Sequence, residues 1–358
     1  MAKMQYFFCL LLLMAVYSKS HSTRCEKGCD CHEELKLTTC ANALFTQLPN
    51  HIPPYTEHLD LSMNLLTFIP KSSFQMERKL RVLLIKDNNI SAVADGAFTQ
   101  LEFLQKLDLS CNRISSLSES FSLGLNALRE LQLSHNHLHS LDSRSFMHLD
   151  GLQRLNLTGN VIHNIQVRSF GSMSTLRQLH LEGNHLVSLN NGVFSMLKSL
   201  EVLNLQGNQI NKTQEGVFTP MTSLALLNLA HNQMSTIYFK TFLSIHTYST
   251  HIMLEGNPWN CNCDLQKVFH KLKSVQRLFL DDYYNLSCNV PTELANYRLM
   301  DVDTGLCIAE VVIVLIITIT VVIAVLGAIV MAERKRKKKK RESIGRSRAT
   351  CLTQITRD

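Results

Sequence analysis

Asparagine stands at positions 64, 88, 112, 136, 160, 184, 208 and 232, a constant step of 24 residues. An apolar frame keeps the same step. Leu80, Leu83, Ile85, Asn88 and Ile90 define it, and the spacing returns from Leu104, Leu128, Leu152, Leu176, Leu200 and Leu224. An earlier partial copy holds Leu59, Leu61, Asn64 and Leu66. A unit this short cannot bury its apolar side alone, so the copies must stack into a solenoid with one continuous core.

Each residue type in the frame has a physical task. Alternating Leu-x-Leu describes a short strand with one buried and one solvated face. The asparagine falls where the chain turns away from the strand. Its amide both donates and accepts, so it can satisfy turn backbone that would otherwise be buried unpaired. Phenylalanine recurs at 74, 98, 121, 146, 170, 194, 218 and 242, ten residues after the asparagine in every repeat but that of Phe121. These rings are expected to form an aromatic spine along the back, tighter at Phe121. Thr213, where neighbouring repeats carry Leu or Ile, is expected to be a local weakness.

The chain ends predict the compartment. Lys3, the apolar run Tyr6 to Val16 and the small residues Ser18 and Ser20 form a signal-peptide layout over residues 1–20. Val311 to Ala332 is a 22-residue stretch without a charge, which as a helix covers about 33 Å and spans a hydrocarbon core. Eight basic residues, Arg334 to Arg341, follow Glu333. Positive charge beside a span stays in the cytoplasm, which predicts a type I plasma-membrane protein with its N-terminal part outside. The formal charge of +7 therefore says little about partners: the tail 333–358 alone holds 11 basic and 3 acidic residues. Nucleic-acid binding is not expected.

Eleven cysteines divide in the same way. Cys9 leaves with the leader and Cys351 lies in the tail. Cys25, Cys29, Cys31 and Cys40 form one cluster, and Cys261, Cys263, Cys288 and Cys307 another, each reading as two disulfides in an oxidising compartment. Spacing alone leaves three pairings open per cluster. Cys111 remains as a free thiol.

The repeated frame resembles the leucine-rich repeat, and the cysteine clusters make the resemblance more specific. Cys25, Cys29, Cys31 and Cys40, followed by Leu48-Pro49 and Ile52-Pro53, are similar to the N-terminal cap of extracellular members. Asn257-Pro258-Trp259, Cys261, Cys263 and Leu265, then Cys288 and Cys307, resemble the C-terminal cap. The resemblance implies pairings of Cys25 with Cys31, Cys29 with Cys40, Cys261 with Cys288 and Cys263 with Cys307. Lys271 departs from it, since many relatives carry Trp there, and looser packing of that cap is expected. The implied fold is an α/β-type solenoid with a curved parallel sheet, a mostly irregular convex side, disulfide caps and one transmembrane helix. The domains expected are an N-terminal cap over 21–56, eight repeats over 57–250, a C-terminal cap over 251–307, the span 311–332 and the tail 333–358. The whole layout resembles small single-pass leucine-rich-repeat proteins, some of them adhesion or guidance proteins and others auxiliary subunits of potassium channels.

The expected function is non-enzymatic protein binding through the concave or lateral face. Arg81, Lys106, Arg129, Arg154 and Arg177 are read as a basic row across five successive repeats, able to dock an acidic protein or sulfated glycan. Acids such as Glu130, Asp108 and Glu182 interleave with it. Leu84 and His180 lie on the same expected face, as do Val82, Val202 and Leu226. Sequons occur at Asn89, Asn156, Asn211 and Asn285. Asn156 is placed on a strand at mid-array, where a glycan would obstruct the face. His135, His137 and His139 lie at a turn and are read as solvated rather than zinc-binding. No cofactor, metal or catalytic constellation is expected. The expected partner is another cell-surface or extracellular protein. The alternative is an auxiliary subunit acting on a channel or receptor in the same membrane, with Thr318, Thr320, Gly327 and Ala328 suited to helix packing. A tail this short is expected to hold no signalling domain, which disfavours a pathogen-sensing receptor.

Overall fold

The computed structural model describes residues 25–302 and a helix over 305–355. The expected leader lies outside the described residues. The chain divides into two compact units, Met1–Asp301 and Val302–Asp358.

In the first unit a 12-stranded sheet runs the length of the repeats. Strand β1 (Asp30–His32) pairs antiparallel with β2 (Leu37–Thr39). Parallel pairing then carries the sheet onward through β3 (His58–Asp60), β4 (Val82–Leu84), β5 (Lys106–Asp108) and β6 (Glu130–Gln132). It continues through β7 (Arg154–Asn156), β8 (Gln178–His180), β9 (Val202–Asn204) and β10 (Leu226–Asn228). Two further parallel strands, β11 (Thr250–Met253) and β12 (Leu278–Leu280), extend the ladder into the segment expected to be cap. They escape a 24-residue search because Leu226 registers with His251, and His251 with Phe279, so the repeat has lengthened.

Every central leucine of these strands is buried, and so is the phenylalanine of each turn. The rings form a spine with centroid spacings of 6.0 Å for Phe74–Phe98 and 6.2 Å for Phe170–Phe194, both stacked. Phe121 meets its neighbours edge-on, at interplanar angles of 89° and 77°. Its turn closes on the preceding one at Gly124, where a Cβ would stand 2.6 Å from the Phe98 carbonyl and the Thr99 Cα. Only glycine fits that approach. Thr213 is half-buried in a two-residue strand pairing with Ser188–Leu189 on the convex side.

The asparagines do the work their position suggests. Asn112 donates its Nδ2 to the carbonyls of Leu109 (3.0 Å) and Ile85 (3.0 Å), while its Oδ1 accepts from the Ile90 N–H (3.0 Å). The same set recurs at the other ladder positions and once more at Asn257. One amide thus closes its own turn and fastens it to the turn before. The residue ahead of each asparagine is left-handed: Met63, Asp87, Cys111, His135 and His231 have φ of 53–55°, and Gly159, Gly183, Gly207 and Gly256 have 60–67°. The asparagine position therefore imposes a conformation on its neighbour, which glycine meets without strain and a side chain does not.

Cys25 is bonded to Cys31, Cys29 to Cys40 and Cys261 to Cys288. Cys263 is also disulfide-bonded, while the Cys307 side chain lies outside the described residues. Beyond the repeats, α1 (Phe239–Leu243) precedes α2 (Cys263–Ser274), which is capped by the Asn262 side chain accepting from Leu265 N–H at 2.9 Å. Helix α2 buries Leu265, Phe269 and Leu272, with Phe269 edge-on to the fully buried Trp259 at 5.5 Å. Lys271 points away from this contact into solvent.

The second unit is the helix α3 (Gly305–Ile355). Within Val312–Arg341, ahead of the basic run that starts at Arg334, it holds a stretch long and apolar enough to cross a membrane. The hydroxyls of Thr318 and Thr320 donate to carbonyls of their own helix, Leu315 at 2.9 Å and Ile317 at 2.8 Å.

Candidate functional site

The sheet turns two columns of side chains outward, on either side of the buried leucines, because alternate residues of a strand face opposite ways. One column is set by register through His58, Val82, Lys106, Glu130, Arg154, Gln178, Val202, Leu226, His251 and Phe279. The other runs through Asp60, Leu84, Asp108, Gln132, Asn156, His180, Asn204, Asn228 and Met253.

The expected basic row is corrected by this register. Lys106 and Arg154 belong to the first column and flank Glu130. Arg81, Arg129 and Arg177 lie one residue earlier and alternate with Gln105 and Gln153, as the backbone bonds linking these residues require. The five cations therefore form two staggered sets, and most are already neutralised. Glu130 takes Lys106 at 2.7 Å and Arg154 at 2.6 Å. Burial pushes the Glu130 carboxyl up, but the hydrogen bonds and charges of Lys106 and Arg154, with Gln132, outweigh it and hold it at about 2. Arg81 pairs with Glu57 at 2.8 Å, and Arg177 pairs with Glu201. Arg129 alone of the five is exposed without an ion pair among the described residues. Counting in steps of 24 would have put Lys106, Glu130 and Arg154 in one column; sorting by charge alone hid it.

A second cluster was not singled out from sequence. Glu182 accepts from His180 Nδ1 at 2.8 Å, Asn204 Nδ2 at 2.6 Å and Thr158 Oγ1 at 3.0 Å. The Glu182 carboxylate raises the His180 pKa against the opposing effect of burial. Leu84 is half-buried between the register partners Asp60 and Asp108.

Asn156 is half-buried on this face, and its Oδ1 accepts from the Thr158 N–H at 3.0 Å in a local turn. Asn89 is half-buried at a turn, Asn211 is exposed, and Asn285 is exposed with its Nδ2 on Glu255 at 3.2 Å. His135, His137 and His139 are all exposed. No group of three or more metal-ligating side chains gathers among the described residues. Cys111 has a free thiol and is exposed, with its backbone in the left-handed region ahead of Asn112. Residual burial and the neighbouring Asp87 raise its pKa, which disfavours the reactive thiolate.

A disulfide-capped parallel solenoid with an outward face of mixed polar side chains defines the leucine-rich-repeat class of scaffold. The leucine rich repeat family matches in overlapping blocks from residue 54 to residue 234, just over half of the chain. The chain belongs to that family. Human leucine-rich repeat-containing protein 3B is 36% identical over 105 residues, covering 28% of this chain and 40% of the relative. Human chondroadherin-like protein is 35% identical over 92 residues, 26% of this chain and 12% of the relative. The chain thus spans a minority of the length of these curated relatives. Among solved structures, human 5T4 (trophoblast glycoprotein) superposes with a TM-score of 0.61 at 24% identity, covering 80% of this chain and 99% of that one. The leucine-rich-repeat protein of an octameric complex of Latrophilin 3, Unc5D and FLRT2 does so at 0.55 and 23%, covering 78% and 98%. These likenesses show the fold.

Proposed function

We infer that this chain is a cell-surface binding module, of an adhesion, guidance or receptor-modulating kind, that engages a partner protein through the outward face of its sheet. It is carried at the plasma membrane by one helix in type I orientation. The observation that carries this reading is a contrast within each repeat. Leucine, asparagine and phenylalanine recur in nearly every copy, whereas the outward column from His58 to Phe279 changes residue at every strand. A column that changes side chain from one strand to the next suits recognition of one particular partner. The other column instead repeats a local bond, in which Asp60, Asp108, Asn156, Asn204 and Asn228 each accept from the N–H two residues on. The solved FLRT2 assembly with Latrophilin 3 and Unc5D is a protein complex built with the same fold, which supports the reading by analogy.

The test separates this from action within the membrane. A soluble fragment ending before Val311 is expected to bind partner-bearing cells without any anchor. Reversing Arg129 and Arg154 together, and raising salt, weaken a contact that uses the central charges, because exposed charges are screened within about 10 Å. If the soluble fragment is inert, while a chimera carrying Val311 to Arg341 beneath an unrelated ectodomain keeps activity, the auxiliary-subunit reading replaces this one. The Thr318 and Thr320 hydroxyls, spent on their own helix, lend that alternative no support.

A further inference from the structure

The two ends of the outward face differ in charge in a way that selects a partner. From β3 to β7 the glutamates are met by arginine or lysine: Glu57 by Lys36 and Arg81, Glu130 by Lys106 and Arg154. Asp60 and Asp108 in the same stretch accept from Ser62 and Ser110 of their own turns. Past Arg177, no lysine or arginine occupies either outward column. Arg277, just before β12, donates instead to the carbonyls of Ile245 and Leu243, at 3.0 Å each. Glu201 pairs with Arg177, whereas Asp281, Glu255 and Glu182 are held by histidine and amide or hydroxyl groups. Asp281 meets His251 Nδ1 at 2.9 Å, and Glu255 meets His231 Nε2 at 3.8 Å and Asn285 Nδ2 at 3.2 Å. Glu182 has its histidine, asparagine and threonine partners.

Between these acids the first column turns apolar. Val202 and Leu226 are half-buried neighbours, and the His251 ring stacks on Phe279 at 5.2 Å and 18°. Phe279 stays 44% exposed on the last strand of the sheet, where no further strand covers it. An exposed aromatic supported by a stacked ring is held in place, so little side-chain entropy is lost when a partner packs on it.

Deepening the binding-module reading, on which it rests, we propose that the β9–β12 end of this face docks an extended segment of a partner protein bearing an apolar side chain next to lysine or arginine. The apolar side chain packs on Phe279 and Leu226, and the cation pairs with Asp281 or Glu255. Charge complementarity selects this occupant: the face offers carboxylates without a cation of its own, so a basic segment gains pairing and an acidic one meets repulsion.

The full chain in lipid nanodiscs, panned with a phage library of random dodecapeptides, tests this. Enriched peptides are expected to carry an aromatic or aliphatic residue within two positions of lysine or arginine. Their binding should fall at least about tenfold with Phe279→Ser and about threefold with Asp281→Asn, the range for a packed anchor and a rim charge pair. Arg113→Glu, an exposed turn change that follows β5, should leave it unchanged. Leu226→Lys serves as a second lesion should Phe279→Ser disturb folding, judged by melting temperature. Acidic enriched peptides, peptides indifferent to Phe279 and Asp281, no enrichment, or nanodisc dimers lost with Phe279→Ser each overturn the proposal, the last by assigning the face to a second copy. Peptides that depend on Arg129 instead would overturn it while leaving the binding-module reading standing, which only an inert soluble fragment removes.

Discussion

The inside of the solenoid and its outward face obey opposite rules. Inside, one asparagine per repeat makes the same bonds at nearly the same lengths in copy after copy, as at Asn112, Asn160 and Asn208. Outside, adjacent strands offer an arginine, a glutamine, a valine and a leucine at one register position. The difference teaches where constraint lies. Interior positions answer to backbone that has no other partner, whereas outward positions answer to neighbouring charges and to whatever binds.

The contrast can be broken most forcefully from the inside. Asn160→Leu strands the Leu138 N–H that its Oδ1 satisfies, and takes one of two amide donors from each of the Leu133 and Leu157 carbonyls, which keep Asn136 and Asn184. A loss of about 1–3 kcal/mol is expected from groups buried unpaired, read as a lower melting temperature. His163→Leu, an exposed change three residues on, should be near neutral; equal effects would mean the interior has no special claim. Next is Gly183→Ala. There is room for the methyl, whose closest neighbour would stand 3.8 Å away, but φ is +60°. The expected cost of about 1 kcal/mol is pure backbone strain, and a neutral result would show that the left-handed step is not obligatory.

The outward face gives smaller, pH-dependent effects. Glu130 titrates in the folded chain at about 2, below its ordinary 4.5. Its contribution is therefore complete above pH 4.5 and is lost as pH falls toward 2. Glu130→Gln should remove about 1 kcal/mol after solvent screening, and should flatten acid denaturation over that window in a comparison of urea midpoints. His180 works in the opposite sense. Its folded pKa is raised above the ordinary 6.5, so its stabilisation is full below pH 6.5 and disappears as pH rises through the folded value. His180→Gln should lower stability at acidic pH by a few tenths of a kcal/mol, as a partly exposed pair does, and leave it unchanged in alkali.

The same contrast explains what was legible in the sequence. The frame from Leu59 to Met234, the Phe spine and the parallel sheet could be read because one physical requirement repeats at a fixed step. Strands β11 and β12 could not, because the step lengthens after Leu226 and Ser249 falls at the register position of the leading Leu224. On the outward face, charge is visible in sequence but pairing is not. Lys106 and Arg154 read as free cations until register sets Glu130 between them. The His251–Phe279 stack joins residues from two strands whose spacing follows no earlier repeat, so nothing local announces it. The left-handed step before each asparagine was written plainly in Gly159, Gly183 and Gly207, and was concealed elsewhere by Met63, Cys111 and His135.

From Asn88 to Asn232 each ladder asparagine ties its turn to carbonyls 3 and 27 residues back, so consecutive copies share their fastenings. This sets a grammar for change in chain length. Removing one whole copy rejoins amide to carbonyl at the same offsets, and a shorter protein of the same kind results. Removing three residues within a copy misplaces an amide, its receiving carbonyls and the strand that follows. Genes for such proteins can therefore grow and shrink by entire copies far more readily than by codons, and related chains should differ in the number of turns before they differ in the length of one.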